Sequence, residues 1–205
     1  MPDPACRRPL PEHLQHDAAR RPARLCPRCE RAACLCALLP AQALAHQTQL
    51  LILQDPQERL QAKGTAPLLR LGLLHCELKV GERFEPAALH SERHTLLLYP
   101  PAPGSAPAQP APLPSPESLR LIVLDGTWRK SRKLLHQNPG LAALPRLSLD
   151  AARPARYGAL RRAQRAGQLS TLEAALLALE QLEGPRFEPL WQAFERFLAM
   201  PRQPG

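Results

Sequence analysis

LRLIVLDGTWRKSRKLLHQNP, residues 119–139, changes character twice within its length. Its first six residues are apolar apart from Arg120, the pattern of a strand covered on both faces, as in a parallel sheet packed between helices. Asp125 and Gly126 then fall just past the strand's carboxyl end, where open α/β sheets place their ligands. Thr127 is a good N-cap for the helix that follows. On that helix Arg129, Arg132, Lys133 and His136 share one face, and Trp128 and Leu135 lie on another. An acid at a strand end beside a cationic helix is a candidate site. The plainer reading, a turn residue next to a solvated surface, stays open at this point.

Working outward, two similar apolar runs precede this stretch, Gln49–Gln54 (QLLILQ) and His94–Tyr99 (HTLLLY), and a shorter one, Leu144–Leu149, follows it. A helix is expected over Ala66–His75. Two amphipathic helices close the chain, one with an apolar face of Leu169, Leu172, Leu176 and Leu179, the other with Phe187, Leu190, Trp191, Phe194 and Phe197. The fold class is α/β with a mainly parallel sheet. Residues 1–24 read as a mobile basic segment, 25–40 as a cysteine knuckle, and 41–205 as the main domain. Within that domain, 101–117 is rich in proline and reads as an extended exposed loop. No apolar run approaches the roughly 18 residues of a membrane span, and no signal peptide is evident. The expectation is a soluble, cytoplasmic protein without a membrane partner.

The 205 residues carry a formal net charge of +9, which favours a polyanionic partner. That charge is local. Ten Lys or Arg residues lie between Thr127 and Arg165 against one acid, Asp150. Four of the six cysteines fall within Cys26–Cys36 in the spacing C-x2-C-x4-C-x-C. Two close thiolate pairs joined by a short turn can reach the corners of a tetrahedron, as structural zinc requires. Reduced, metal-free cysteines are the alternative. Cys6 and Cys76 stand apart as free or buried thiols.

Asp125, Thr127 and Trp128 fit the D-x-T-W signature, and the chain resembles the DTW-domain family over roughly Cys26 to Glu183. The knuckle resembles that family's C-x-x-C and C-x-C, and LLILQDPQERLQAKGTAPLLRLGL, LLLYP, LPRLSL and LSTLEA follow in the family's order. Asp55 stands where relatives usually carry His, and Gly64 where they often carry Asn or Ser. The resemblance implies a SPOUT-like α/β fold with a C-terminal trefoil knot that cradles S-adenosylmethionine. It also implies tRNA-uridine aminocarboxypropyl transfer: the cofactor's 3-amino-3-carboxypropyl group passes to uridine N3, leaving 5′-methylthioadenosine. Cofactor contacts are then expected at Leu98, Tyr99 and Pro100, at Gly126, at Tyr157 and Arg161, and at Ser170, Thr171 and Glu173. RNA contacts are expected from Arg129, Lys130, Arg132 and Lys133.

The chemistry constrains the roles. Which carbon of a sulfonium reacts depends on which one lies in line with the nucleophile. Uridine N3 is a poor nucleophile until its proton leaves, so a general base is useful, and Asp125 is the nearest candidate. At an ordinary pKa of about 3.9 it is a weak base, so burial would have to raise it. It could equally hold the cofactor ammonium or the uracil edge. Trp128 could stack a base or pack in the core. Ser170 and Glu173 have capping-box spacing, which competes with a ligand role. A SPOUT methyltransferase and a non-catalytic zinc-containing RNA-binding module are the competing functions.

Overall fold

The computed structural model describes residues 25–59, 61–101, 112–149 and 169–200. Five strands form one sheet: β1 (Gln49–Gln54), β2 (Cys76–Val80), β3 (His94–Leu98), β4 (Leu119–Asp125) and β5 (Arg146–Leu147). Every pairing is parallel, and the spatial order is β2-β1-β4-β3-β5. The helices are α1 (Ala66–Gly72), α2 (Pro86–Leu89), α3 (Trp128–Gln137), α4 (Pro139–Ala142), α5 (Thr171–Glu183) and α6 (Glu188–Ala199).

The two central strands explain the continuous apolar runs. Side chains alternate between the faces of a strand, so both parities must be apolar when both faces are covered. Leu50, Ile52, Leu121 and Val123 pack with α1, α5, α6 and the knuckle residues Leu35 and Leu39. Leu51, Leu53, Ile122 and Leu124 pack on the opposite face with Leu97 and Leu141. Asp125 and Gln54 have the parity of the first set. They are register partners at the carboxyl ends of β4 and β1.

Three expectations are corrected. The helix over Ala66–His75 stops at Gly72, since Leu73 turns extended at φ −116°, ψ 138°. The chain then enters β2, which the sequence reading missed because CELKV is a polar edge strand with Glu77 and Val80 exposed. The run Leu144–Leu149 yields only the two-residue β5, because Pro145 brings no N–H to the ladder. Leu169 lies outside α5 and is 37% exposed rather than part of its apolar face.

α6 inserts Phe187, Trp191 and Phe194 into the core, and the Trp191 indole N–H donates to Glu180 Oε1 at 2.8 Å. α1 crosses α6 closely at Gly72, where an added Cβ would run into the Leu190 side chain. Gly72→Ala is therefore expected to cost about 1–3 kcal/mol by overpacking. Urea denaturation should show this as a lower midpoint, and Leu190→Val should recover part of it.

The knuckle is an irregular segment with one 3-10 turn, Cys36–Leu38. Arg196 of α6 holds it by donating to the Leu38 carbonyl at 2.7 Å. Of the proline-rich loop, Pro116–Ser118 forms a 3-10 turn leading into β4, and 102–111 lie outside the described residues, as do 1–24. No helix among the described residues is long and apolar enough to cross a membrane.

Candidate active site

Asp125 closes β4 and is 5% exposed. Its neighbour at the end of β1, Gln54, donates from Nε2 to Asp125 Oδ2 at 2.7 Å. At the first turn of α5, Thr171 donates its hydroxyl to Asp125 Oδ1 at 2.5 Å. The backbone N–H of Asp55 donates to the Asp125 carbonyl at 3.1 Å. Segments far apart in sequence thus fix one carboxyl group. Burial pushes its pKa above the ordinary carboxylate value, while the Thr171 and Gln54 hydrogen bonds pull it down; the Glu58 charge adds to the rise and Arg31 opposes it. The burial that a base of this kind needs is present.

Arg31 reaches this region from the cysteine knuckle and is 6% exposed. It donates from Nη1 to the Gln61 carbonyl, and from Nη2 to the Gly64 carbonyl at 3.0 Å. Burial lowers its pKa, and the charge of Asp125 works against that. Gly64 suits this packing, since a Cβ there would stand 2.6 Å from Arg31 Nη2. The departure from the family's Asn or Ser thus accompanies a guanidinium laid against that backbone. Arg31 was not singled out from the sequence. The available signal was a cation inside the cysteine spacing.

Asp55, the other departure, accepts from the Gln57 N–H at 2.9 Å and so caps its own turn. Lys130 Nζ lies 3.7 Å from Asp55 Oδ1 and 2.6 Å from Glu58 Oε1. Expected on the RNA face, Lys130 is instead tied to two carboxylates of the β1–α1 loop, and the bond to Glu58 raises its pKa. Gly126 leaves room for this, since a Cβ there would sit 3.1 Å from Lys130 Cβ. Arg129, Arg132, Lys133 and His136 are all exposed, and Lys133 pairs with Glu82 at 2.8 Å. Thr127 caps α3 as expected, its hydroxyl accepting from the Lys130 N–H at 3.4 Å.

Trp128 is 48% exposed, so the core reading of this residue is set aside. It meets Tyr99 edge-on with ring centroids 5.8 Å apart, and the Arg146 guanidinium lies 5.3 Å from the Tyr99 centroid. Arg146 also donates to the Pro100 carbonyl at 2.8 Å. The Leu98–Pro100 segment is therefore beside Trp128, at the carboxyl end of β3. Ser170 and Glu173 do form the capping box of α5. The first turn of α5 thus carries a reciprocal cap and, at Thr171, a partner of Asp125. Tyr157 and Arg161 lie outside the described residues.

The four knuckle sulfurs, of Cys26, Cys29, Cys34 and Cys36, all lie within 4.8 Å of one another. Cys26 and Cys36 Sγ are 3.8 Å apart, and Cys34 and Cys26 Sγ 3.5 Å. Metal–sulfur bonds of about 2.3 Å in a tetrahedron demand sulfur separations of about 3.8 Å. The Leu35 N–H lies 3.4 Å from Cys29 Sγ, a hydrogen bond that favours a thiolate there. Burial pushes the Cys29 and Cys36 thiols up, a tendency that a bound dication reverses. The cluster could hold a metal ion.

No solved structure matches the chain. A tRNA-uridine aminocarboxypropyltransferase 2 of Macaca fascicularis is 34% identical over 177 residues, 81% of this chain and 58% of the relative. The enzyme of the same name in Drosophila melanogaster is 33% identical over 169 residues, 77% of this chain and 66% of the relative. An Arabidopsis thaliana tRNA-uridine aminocarboxypropyltransferase A is 30% identical over 131 residues, 54% of this chain and 50% of the relative. The chain thus spans from half to two thirds of the length of these relatives. The DTW domain profile matches residues 23–201, a span that includes the knuckle, the whole sheet and Asp125: the chain belongs to the DTW domain family.

Proposed function

We propose that the protein transfers the 3-amino-3-carboxypropyl group of S-adenosylmethionine to N3 of a tRNA uridine, giving acp3U and 5′-methylthioadenosine. The observation that carries this reading is the buried, doubly hydrogen-bonded Asp125 at the carboxyl end of a central parallel strand, in a chain whose relatives bear that activity in their names. Asp125 takes the N3 proton as the N–C bond forms and the C–S bond breaks, and the sulfonium leaves as a neutral thioether. Gln54 and Thr171 hold the carboxylate in one orientation, so little reorganisation is needed when the proton moves. Leu98–Pro100, Gly126, Tyr157 and Arg161 are assigned to the cofactor along with the α5 N-terminus, Ser170 to Glu173. Trp128 is assigned to base stacking, and Arg129, Arg132 and Lys133 to tRNA phosphates. Lys130 serves by fixing the β1–α1 loop.

The sheet order and its all-parallel pairing support a SPOUT-like domain with a trefoil knot. Zinc is the metal that suits four thiolates. The free thiols among the described residues fit a reducing compartment, and we place the protein in the cytoplasm with its tRNA.

Incubation with unmodified tRNA and S-adenosylmethionine should yield a uridine heavier by the aminocarboxypropyl group in nucleoside mass spectrometry. S-adenosylhomocysteine as coproduct would mean methylation instead, and tRNA binding without any product would mean a binding module. Thr171→Val removes one of the two bonds that lower the Asp125 pKa. The acid limb of the kcat/KM profile should therefore move to higher pH while turnover above it is kept. An unmoved limb would show that Asp125 positions a ligand without taking a proton.

A further inference from the structure

A cleft of about 260 Å³ opens between the knuckle and the carboxyl ends of β1 and β2, lined by Glu30, Arg31, Gln54, Arg59 and Arg70 among others. Three guanidinium groups against one carboxylate make it electropositive. The carboxylate is unusual. Among the described non-glycine residues Glu30 is the one with positive φ, 57°, held in a turn by its N–H donating to Cys26 O and by the Cys26 N–H donating to Arg31 O, each at 2.8 Å. A left-handed glutamate is disfavoured by roughly 1 kcal/mol. Here that backbone carries the side chain to Arg59 Nη2 at 3.1 Å from Oε2 and to Arg70 Nη2 at 3.8 Å from Oε1. One oxyanion therefore bridges two arginines in an arginine-lined cleft. The third, Arg31, is buried, and its Nε has no hydrogen-bond partner, an uncompensated donor in a site otherwise built from charge pairs.

We propose that this cleft is a phosphate subsite for the RNA backbone next to the target nucleotide, and that Glu30 is an internal stand-in which the phosphate displaces. The inference rests on the proposed tRNA substrate. A phosphate diester offers two oxygens to the Arg59 and Arg70 donors, as the Glu30 carboxylate does, and arginine is suited to that fork geometry. Gln54 ties the cleft to the chemistry, since it lines the cleft and donates to Asp125. A phosphate seated there lies one side chain from the acid. Glu30 imposes a threshold: a ligand must outcompete an attached anion, which a polyanion held at further points on α3 can do and an isolated phosphate does poorly. Arg59 is exposed and Arg70 half-buried, so replacing them leaves the core intact.

The test compares tRNA affinity as a function of salt with turnover, using the full chain. Arg59→Ala/Arg70→Ala should weaken tRNA binding about 10- to 100-fold at 0.1 M salt and reduce the log–log salt slope by about two. Glu30→Gln should act in the opposite direction, binding tRNA several-fold more tightly. Unchanged affinity and slope in the double variant would overturn the proposal, as would failure of the wild type to bind tRNA. A raised KM for S-adenosylmethionine with unchanged tRNA binding would also overturn it, by showing that the cofactor carboxylate is the oxyanion held there. If the expected binding changes appear but no enzyme preparation yields aminocarboxypropylated uridine, the subsite stands and the proposed reaction falls.

Discussion

Asp125→Asn is expected to lower turnover by about 10²- to 10⁴-fold, the usual contribution of a general base, while tRNA affinity stays within a factor of about two. Asparagine keeps the shape of the side chain. Its oxygen can accept from Gln54 Nε2, and the Thr171 hydroxyl can rotate to accept from its amide, so the fold should survive. The pH dependence of stability provides a second readout. Burial raises the Asp125 pKa in the folded state above the ordinary value of about 3.9, so the folded protein binds the proton more tightly than the unfolded chain. The wild type therefore loses stability as pH rises from about 4 through that raised value, and above it the loss is complete. The asparagine variant has no such loss. Its Tm relative to wild type should thus improve between pH 4 and pH 7, even as its activity disappears. A variant that keeps turnover would remove Asp125 from the chemistry.

Removing the knuckle metal should have the largest effect on stability. The knuckle contributes Leu35 and Leu39 to the main core, and each buried leucine is worth about 1.5–3 kcal/mol. Losing both contributions corresponds to a Tm lower by about 10–20 °C for a domain of this size. A tight zinc chelator should produce that drop, and added Zn²⁺ should reverse it. Cys34→Ala isolates the cause. Cys34 is exposed, and a surface substitution away from any special feature changes stability by no more than about 0.5 kcal/mol. If four thiolates share a metal, this one change should reproduce most of the chelator effect. Turnover should fall in parallel, because Arg31 lies between Cys29 and Cys34 and braces the Gln61 and Gly64 carbonyls beside Asp125. Indifference to both treatments would leave the cysteines as plain thiols.

The central strands, α3 with its cap and the knuckle were legible because each rests on a local rule: apolar runs, a capping residue, a spacing of thiols. Asp125 was legible for the same reason, being the first polar residue after such a run. Its partners were not. Gln54 lies 71 residues away in sequence and Thr171 46, and only the parallel register of β1 with β4 and the docking of α5 bring them to one carboxyl group. β2 was missed because an edge strand is made of the same polar residues as a loop. Lys130 illustrates a third limit. Its helical phase was readable, but its pairing with Asp55 and Glu58 depends on how the β1–α1 loop folds back over α3.

The contact between Arg196 and the Leu38 carbonyl joins the two ends of the described chain. During synthesis the knuckle leaves the ribosome first, but the surface it rests on, α6, is made last. Until then Arg31 lacks a fixed base from which to brace the loop beside Asp125. A nascent or truncated chain ending before Glu188 would expose Leu35 and Leu39 and leave the acid without its full setting. The order of manufacture thus makes competence the last property the chain acquires.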